Sequence, residues 1–223
     1  MSPVGLYANT LEEALELAEI TVSVSHNHPE GVKGAQAIAT SVFLCKQGKS
    51  KQEIKEYVEQ TFGYNLHRTI AEIRPRYGFD VSCQGSVPEA IIAFMEGKSF
   101  EEVIRLAISL GGDSDTIGCM AGAIAACRYP IPDDIAERCD SLLTEDLRDI
   151  KDRFCDFIDK RSPYVKKLTR DNYKECTGFD IIAFSSAAPG AMGDAGAVEV
   201  VTSKGEVYYA NPFYEDIEME QIL

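Results

Sequence analysis

Through the first two-thirds of the chain, apolar residues recur at helical spacing. Leu11, Ala14, Leu15 and Ala18 share one face, and Val103, Leu106, Ala107 and Leu110 share another. Thr10 with Glu13, Ser50 with Glu53, and Ser99 with Glu102 have the S/T-x-x-E spacing of a capping box, in which two side chains satisfy the orphan amides of a helix start. Pro88 suits the first position of a further helix, and Gly97 its stop. Between Pro29 and Gly48 the small residues Gly31, Gly34, Ala35, Ala37 and Ala39 precede Val42, Phe43 and Leu44, which predicts a buried helix packed closely on its neighbours. Ile117, Met120, Ala121, Ile124 and Ala125 form a second such stripe, with Gly118 and Gly122 placed for the approach of another backbone. Beyond Pro130 and Pro132, the segments 135–141 and 145–159 read as amphipathic surface helices.

The pattern changes near Ser162. Phe179 to Phe184 is apolar without helical period, and a small-residue loop follows from Ala187 to Gly196. Val198 to Thr202 and Glu206 to Ala210, joined by Ser203-Lys-Gly, predict a β-hairpin. The expected organisation is therefore an all-α domain over residues 1–158 and a small α+β appendage over 159–223. The glycines and Asp194 of the small-residue loop read as loop chemistry first and as an ion site second.

Charge narrows the partners. The chain of 223 residues has 22 Lys+Arg against 36 Asp+Glu, a formal net charge of −14, which repels phosphate backbones and anionic bilayers and argues against a nucleic-acid polymer as partner. No apolar run approaches the roughly 20 residues needed to span a bilayer, and no basic n-region opens the chain, so no membrane segment is expected. Seven scattered cysteines without C-x-x-C spacing form neither a disulfide framework nor a zinc ribbon, which suits a reducing, cytoplasmic setting.

Two short segments hold the candidate chemistry. Gly111-Gly-Asp-Ser-Asp-Thr116 offers two carboxylates and two hydroxyls within four positions, directly after two glycines. Such density of hard oxygen suits Mg²⁺ or Ca²⁺. The same residues also read as the N-terminus of a helix, with Asp113 as its cap and acids favoured by the helix dipole. Ser25-His-Asn-His-Pro-Glu-Gly31 contains two of the three histidines. It reads either as a polar loop opening a helix at Pro29 or as the lining of a ligand pocket.

The segments 25–39 (SHNHPEGVKGAQAIA), 85–90 (GSVPEA) and 111–125 (GGDSDTIGCMAGAIA) resemble three motifs of the ADP-ribosylglycohydrolase family, which includes the dinitrogenase reductase-activating glycohydrolases, in the same order. The resemblance covers about residues 1–158. It implies an all-α, orthogonal helical bundle holding a two-magnesium centre that cleaves an ADP-ribose N- or O-glycosidic bond. It further implies that Asp113, Asp115 and Thr116 supply one half of the metal ligands. His26, His28 and Glu30 are then expected to bind substrate or shape its pocket. The implied partners are ADP-ribose or an ADP-ribosylated protein.

The chain departs from the family pattern at its start. The family's Thr-Asp-Asp-Thr turn, which supplies the other metal ligands, does not occur, and the adjacent aspartates Asp133 and Asp134 read as a helix N-terminus. Ser2 to Tyr7 is similar to a segment from the interior of family members. The expectation is thus the C-terminal part of the family fold, truncated at the N-terminus, with the catalytic carboxylate in the missing part and a separate N-terminal half as a possible partner. The competing expectation is a non-catalytic descendant that binds ADP-ribose or another nucleotide, or persists as a structural remnant.

Overall fold

A computed structural model describes residues 1–161 and the strand segments 181–186, 198–202, 207–210 and 220–221. Two compact units divide at Pro132 and Asp133. The first contains α1 (Ser2–Tyr7), α2 (Leu11–Ser23), α3 (Pro29–Lys46), α4 (Lys51–Phe62), α5 (Ile70–Ile73), α6 (Cys83–Glu96), α7 (Phe100–Ile108) and α8 (Ser114–Ala125). The second contains α9 (Asp133–Leu142), α10 (Glu145–Arg161) and a sheet in the order β1 (Ile181–Ser186), β2 (Val198–Thr202), β3 (Val207–Ala210) and β4 (Glu220–Gln221). The first unit is all-α, and none of the described helices is long and apolar enough to cross a membrane.

The helix starts follow local hydrogen bonding. At α4 both legs of the capping box form: Ser50 Oγ accepts from Glu53 N, and Glu53 Oε2 accepts from Ser50 N at 2.8 Å. At α2 and α7 the return leg moves back one residue. Glu13 accepts from Asn9 N at 2.8 Å and Glu102 from Lys98 N at 2.9 Å, so the cap is closed across the residue before Thr10 and Ser99. A further complete box, Thr69 with Glu72, opens the single turn α5 and has the same spacing in the sequence.

The core is centred on α6. Every residue from Ser86 to Phe94 is buried, so this helix is wrapped on all sides. Its apolar residues Val87, Ile91, Ile92 and Phe94 join Ile54 and Val58 of α4, Val103 and Ala107 of α7, and Ile117 and Ile124 of α8 in one cluster. Burial of each such large side chain stabilises the fold by roughly 1.5–3 kcal/mol. Lys51 ties the end of α6 to α4: its ammonium donates to Met95 O at 3.1 Å and Gly97 O at 2.5 Å, satisfying carbonyls left over at a helix C-terminus. Lys46 does the same for α1, donating to Leu6 O at 2.8 Å and Ala8 O at 2.9 Å.

Two local expectations are corrected. Pro88 is not the first residue of its helix but lies inside α6, because Ser82 captures Gly85 N and starts the helix at Cys83. A proline this close to a helix start forfeits one early hydrogen bond, which its buried surroundings outweigh. The glycines Gly118 and Gly122 admit side chains and not another backbone. A Cβ on Gly122 would lie 2.8 Å from Ile104 Cδ1, and one on Gly118 3.8 Å from Ile108 Cγ1, both on α7.

In the second unit, β2 and β3 pair antiparallel with Val198 opposite Ala210, and β1 pairs with β2 through a register shift between Ile181 and Ala183. The turn at Ser203-Lys-Gly and the loop from Ala187 to Gly196, with Asp194, lie outside the described residues. Helices α9 and α10 begin with Asp133-Asp134 and Glu145-Asp146, acids that the helix dipole favours. Lys151 bridges the two helices with an ion pair to Asp140 at 2.7 Å.

Gly5 is the tightest test of the packing of α1 on α3, since a Cβ there would run into Ala39 O and stand 2.7 Å from Val42 Cβ. Alanine in a helix is favoured over glycine by about 0.5–1 kcal/mol, whereas overpacking costs about 1–3 kcal/mol. Gly5→Ala is expected to lower the urea unfolding midpoint, and a raised midpoint would show that α1 does not seat on α3 as described.

Candidate functional site

The turn before α8 is shaped by backbone geometry. Gly111 and Gly112 both adopt left-handed conformations, with φ of 73° and 61°, which side-chain-bearing residues rarely take. At Gly112 there is also no space, for a Cβ would lie 2.5 Å from Gly78 O and 3.1 Å from Tyr77 Cε1. The loop 77–80 therefore lies against the turn, and the chain leaves it with Asp113 at the helix N-cap position. Asp113 makes no side-chain capping bond, so the simple reading of Asp113 as a cap does not account for its carboxylate. That carboxyl instead lies within hydrogen-bonding reach of Asp115. This contact, followed by the amides of Asp115 and Thr116, holds the Asp115 carboxyl below the usual carboxylate range. Asp115 and Thr116 are exposed and Asp113 is half-buried.

This donor set matches a hard divalent cation in kind: two convergent carboxylates beside a hydroxyl, on exposed backbone. It is a partial set. Among the described residues, no three His, Cys, Asp or Glu side chains gather as a metal-ligand cluster, so His26, His28 and Glu30 do not join Asp113 and Asp115 in one.

The loop before α3 carries His26 and His28 on the surface. His28 Nδ1 accepts from Glu30 N at 3.2 Å and so serves as the N-cap of α3, and the residue is exposed. His26 Nδ1 pairs with Ser25 Oγ at 2.8 Å. Gly31 allows the His26 carbonyl to pack against α3, since a Cβ would lie 2.9 Å from it. Glu30 turns one oxygen inward: its buried Oε2 accepts no hydrogen bond among the described residues and faces Lys33 Nζ at 3.5 Å. Beside it stands Tyr64, 7% exposed, whose hydroxyl has no partner among the described residues and whose ring carries the Lys33 ammonium at 4.7 Å. Burial, then Cys83 and Glu30, push the Tyr64 phenol upward.

A second feature was not singled out in the sequence. Glu89, on the fully buried stretch of α6, is 3% exposed, and its Oε1 accepts from Arg68 Nη1 at 2.8 Å. Its Oε2 is buried without a hydrogen-bond partner among the described residues. Burial pushes this carboxyl up, opposed by Arg68. His67, Arg68, Glu72, Ile73, Arg76, Tyr77 and Glu89 line a cleft of about 520 Å³. Tyr77 connects the cleft to the glycine turn. Its hydroxyl donates to Gly85 O at 2.8 Å, and its phenol is pushed up to about 12 by burial first and then by Glu89, Asp80 and Asp113. The sequence signal for Glu89 was available: it is the one charged residue from Ser86 to Phe94.

Removing the Arg68 guanidinium strands a buried carboxylate, an expected loss of about 1–3 kcal/mol in Arg68→Ala at neutral pH, since Arg68 is itself 40% exposed. A carboxyl raised in the folded state weakens folding as pH climbs from its unfolded value near 4.5 through the folded one, and loss of Arg68 raises the folded value further. The deficit of the variant should therefore be larger at about pH 8 than at about pH 4.5 in urea titrations. An equal deficit at both would show that Glu89 is not charged against Arg68.

The ADP-ribosylglycohydrolase family model matches residues 1–164. Similar proteins include an uncharacterized protein of Archaeoglobus fulgidus, 28% identical over 149 residues that cover 60% of this chain and 49% of that protein. The ADP-ribosylhydrolase ARH3 of Homo sapiens is 23% identical over 192 residues, 65% of this chain and 53% of its own length. ARH3 of Danio rerio is 34% identical over 89 residues, 35% of this chain and 23% of its own. The chain spans about half the length of the first two relatives.

Proposed function

The chain belongs to the ADP-ribosylglycohydrolase family, and from that premise we propose that it serves a Mg²⁺-dependent hydrolase that cleaves an ADP-ribose N- or O-glycosidic bond. The single observation that carries the metal reading is the turn Gly111–Thr116, where two left-handed glycines deliver Asp113 and Asp115 to one another while Asp113 is free of capping duty. In this reading Asp113 and Asp115 contribute carboxylate oxygens and Thr116 its hydroxyl. When bound there, Mg²⁺ would orient sugar hydroxyls and a water molecule and polarise them.

The reaction adds water across the glycosidic bond. The water oxygen bonds to the anomeric carbon, the bond from that carbon to the acceptor nitrogen or oxygen breaks, and a proton passes to the departing heteroatom. His26, with its ring on Ser25, and the exposed His28 are proposed to contact the substrate. Glu30 is proposed to shape the inner wall of the same pocket together with Tyr64. The carboxylate that activates water is not assigned to any described residue.

The second reading, a non-catalytic ADP-ribose-binding protein, draws on one observation: the described residues gather fewer than three metal-ligating side chains of the His, Cys, Asp and Glu types at any point. Calorimetric titration separates the two. The hydrolase reading predicts that Mg²⁺ strengthens ADP-ribose binding and that Asp113→Asn and Asp115→Asn each weaken Mg²⁺ binding about tenfold or more. Tight ADP-ribose binding indifferent to Mg²⁺, with Mg²⁺ affinity unchanged in both variants, would overturn the metal assignment and favour the binding reading.

A further inference from the structure

Asp113 departs from the other helix starts in its backbone. The side-chain caps of α2 to α7 are all extended, with ψ between 140° and 165°, the conformation that carries a cap oxygen over the first turn. Asp113 has ψ of 60° and makes no capping bond. Downstream it is held as a normal helix start, for its carbonyl accepts from Ile117 N at 3.1 Å. The cause of the departure therefore lies upstream, at Gly111 and Gly112. Glycine takes φ of either sign about equally, so nothing in these two residues selects the left-handed conformation they share.

The selection comes from a neighbouring segment. Gly111 stands in open space, whereas a Cβ on Gly112 would meet Gly78 O at 2.5 Å and Tyr77 Cε1 at 3.1 Å, so Tyr77 and Gly78 are wedged against the second glycine. The wedge is anchored away from the turn, on the start of α6. Tyr77 Oη donates to Gly85 O at 2.8 Å, Asp80 Oδ1 accepts from Ser82 N at 2.8 Å, and the Asp80 carboxylate lies where a side chain on Gly85 would be. We propose that Tyr77 is a positioning residue of the metal turn: its ring and the Gly78 carbonyl, anchored by the Tyr77 hydroxyl on Gly85, hold Gly112 so that Asp113 is kept out of the capping conformation and its carboxylate stays free for a divalent cation. Without the wedge, Asp113 relaxes toward the extended conformation of the other caps and spends its carboxylate on the amides of α8. The proposal rests on the reading of Gly111–Thr116 as a Mg²⁺ site and adds what keeps that site open.

The test is calorimetric titration of the full chain with Mg²⁺, paired with urea unfolding. Tyr77→Ala removes both wedge and anchor and is expected to weaken Mg²⁺ binding about tenfold, the scale on which residues behind metal ligands act. Tyr77→Phe keeps the ring and loses only the anchoring bond, so it should return the affinity to within about threefold of the parent chain. Tyr129 supplies the control, because its hydroxyl donates a matching bond to Gly97 O at 3.1 Å at the far end of α6. Tyr129→Ala should lower the urea midpoint and leave Mg²⁺ affinity unchanged, which separates positioning from a general loosening of the fold. Should Tyr77→Ala not fold, Tyr77→Phe against Tyr129→Phe decides, with a loss of about threefold expected in the first alone. Unchanged Mg²⁺ affinity in Tyr77→Ala, or an equal loss in Tyr129→Ala, would overturn the positioning role. Failure of the metal reading itself is distinguishable, since Asp113→Asn would then also leave Mg²⁺ binding unchanged. If the positioning role alone fails, the loss in Asp113→Asn remains.

Discussion

The helical unit depends on α6 being enclosed on every side. A helix buried from Ser86 to Phe94 leaves little solvent for a charge, yet α6 carries Glu89 in the middle of that stretch, 3% exposed at the edge of the cleft. Desolvation of a carboxylate costs several kcal/mol unless it is paired, so the position of Arg68 at the mouth of the cleft is a requirement of the fold. The pair then fixes the chain that carries it. Arg68 immediately precedes the Thr69 capping box, and α5 leads to Tyr77, whose hydroxyl returns to Gly85 in the first turn of α6. From there the constraint passes to the site: Gly78 O lies where a side chain on residue 112 would be, so the loop braced on α6 also dictates glycine in the turn that presents Asp113.

Function is thus tied to packing through short steps. The buried body of α6 and the stripe of α8 place the Gly111–Thr116 turn at the edge of the core, where left-handed backbone at two successive glycines leads into Asp113 and the Asp113 and Asp115 carboxyls lie within hydrogen-bonding reach. The His26–Glu30 loop is built differently, by N-capping: His28 spends Nδ1 on the backbone and Pro29 opens the helix, which leaves the imidazole edge and His26 on the surface while Glu30 turns inward. One device relies on glycine geometry and the other on a polar cap, and each holds a side chain ready without lengthening the loop.

Much of this was legible in the sequence. Helices α2, α4 and α7 were marked by hydroxyl-to-Glu spacing because helix caps are local, and α3 and α8 by their small and apolar stripes. The start of α6 was misplaced at Pro88 because proline is a strong helix-start signal, and the weaker Ser82 cap ahead of it won through a hydrogen bond to Gly85. The contacts of Gly118 and Gly122 could not be read, since a glycine marks a close approach without saying what approaches. Glu89 was passed over for a related reason. Sequence shows a charge among apolar residues, but only tertiary structure shows that its partner is Arg68, distant in the chain, and that one oxygen is left over. The Thr69 box was equally visible in the sequence and was missed because α5 is a single turn with too few apolar residues to form a stripe.

The central claim is that the glycine turn, and not the acidic surface in general, is where this chain takes a divalent cation. With a formal charge of −14, weak cation binding spread over helices such as α9 and α10 is the natural competitor. Substoichiometric Mn²⁺ added to isotopically labelled protein distinguishes the two, because its paramagnetism broadens only nearby amide resonances. The account predicts that the amides of residues 111–117 broaden first and recover on addition of excess Mg²⁺. Broadening that begins in residues 133–158 and leaves the turn sharp would contradict it.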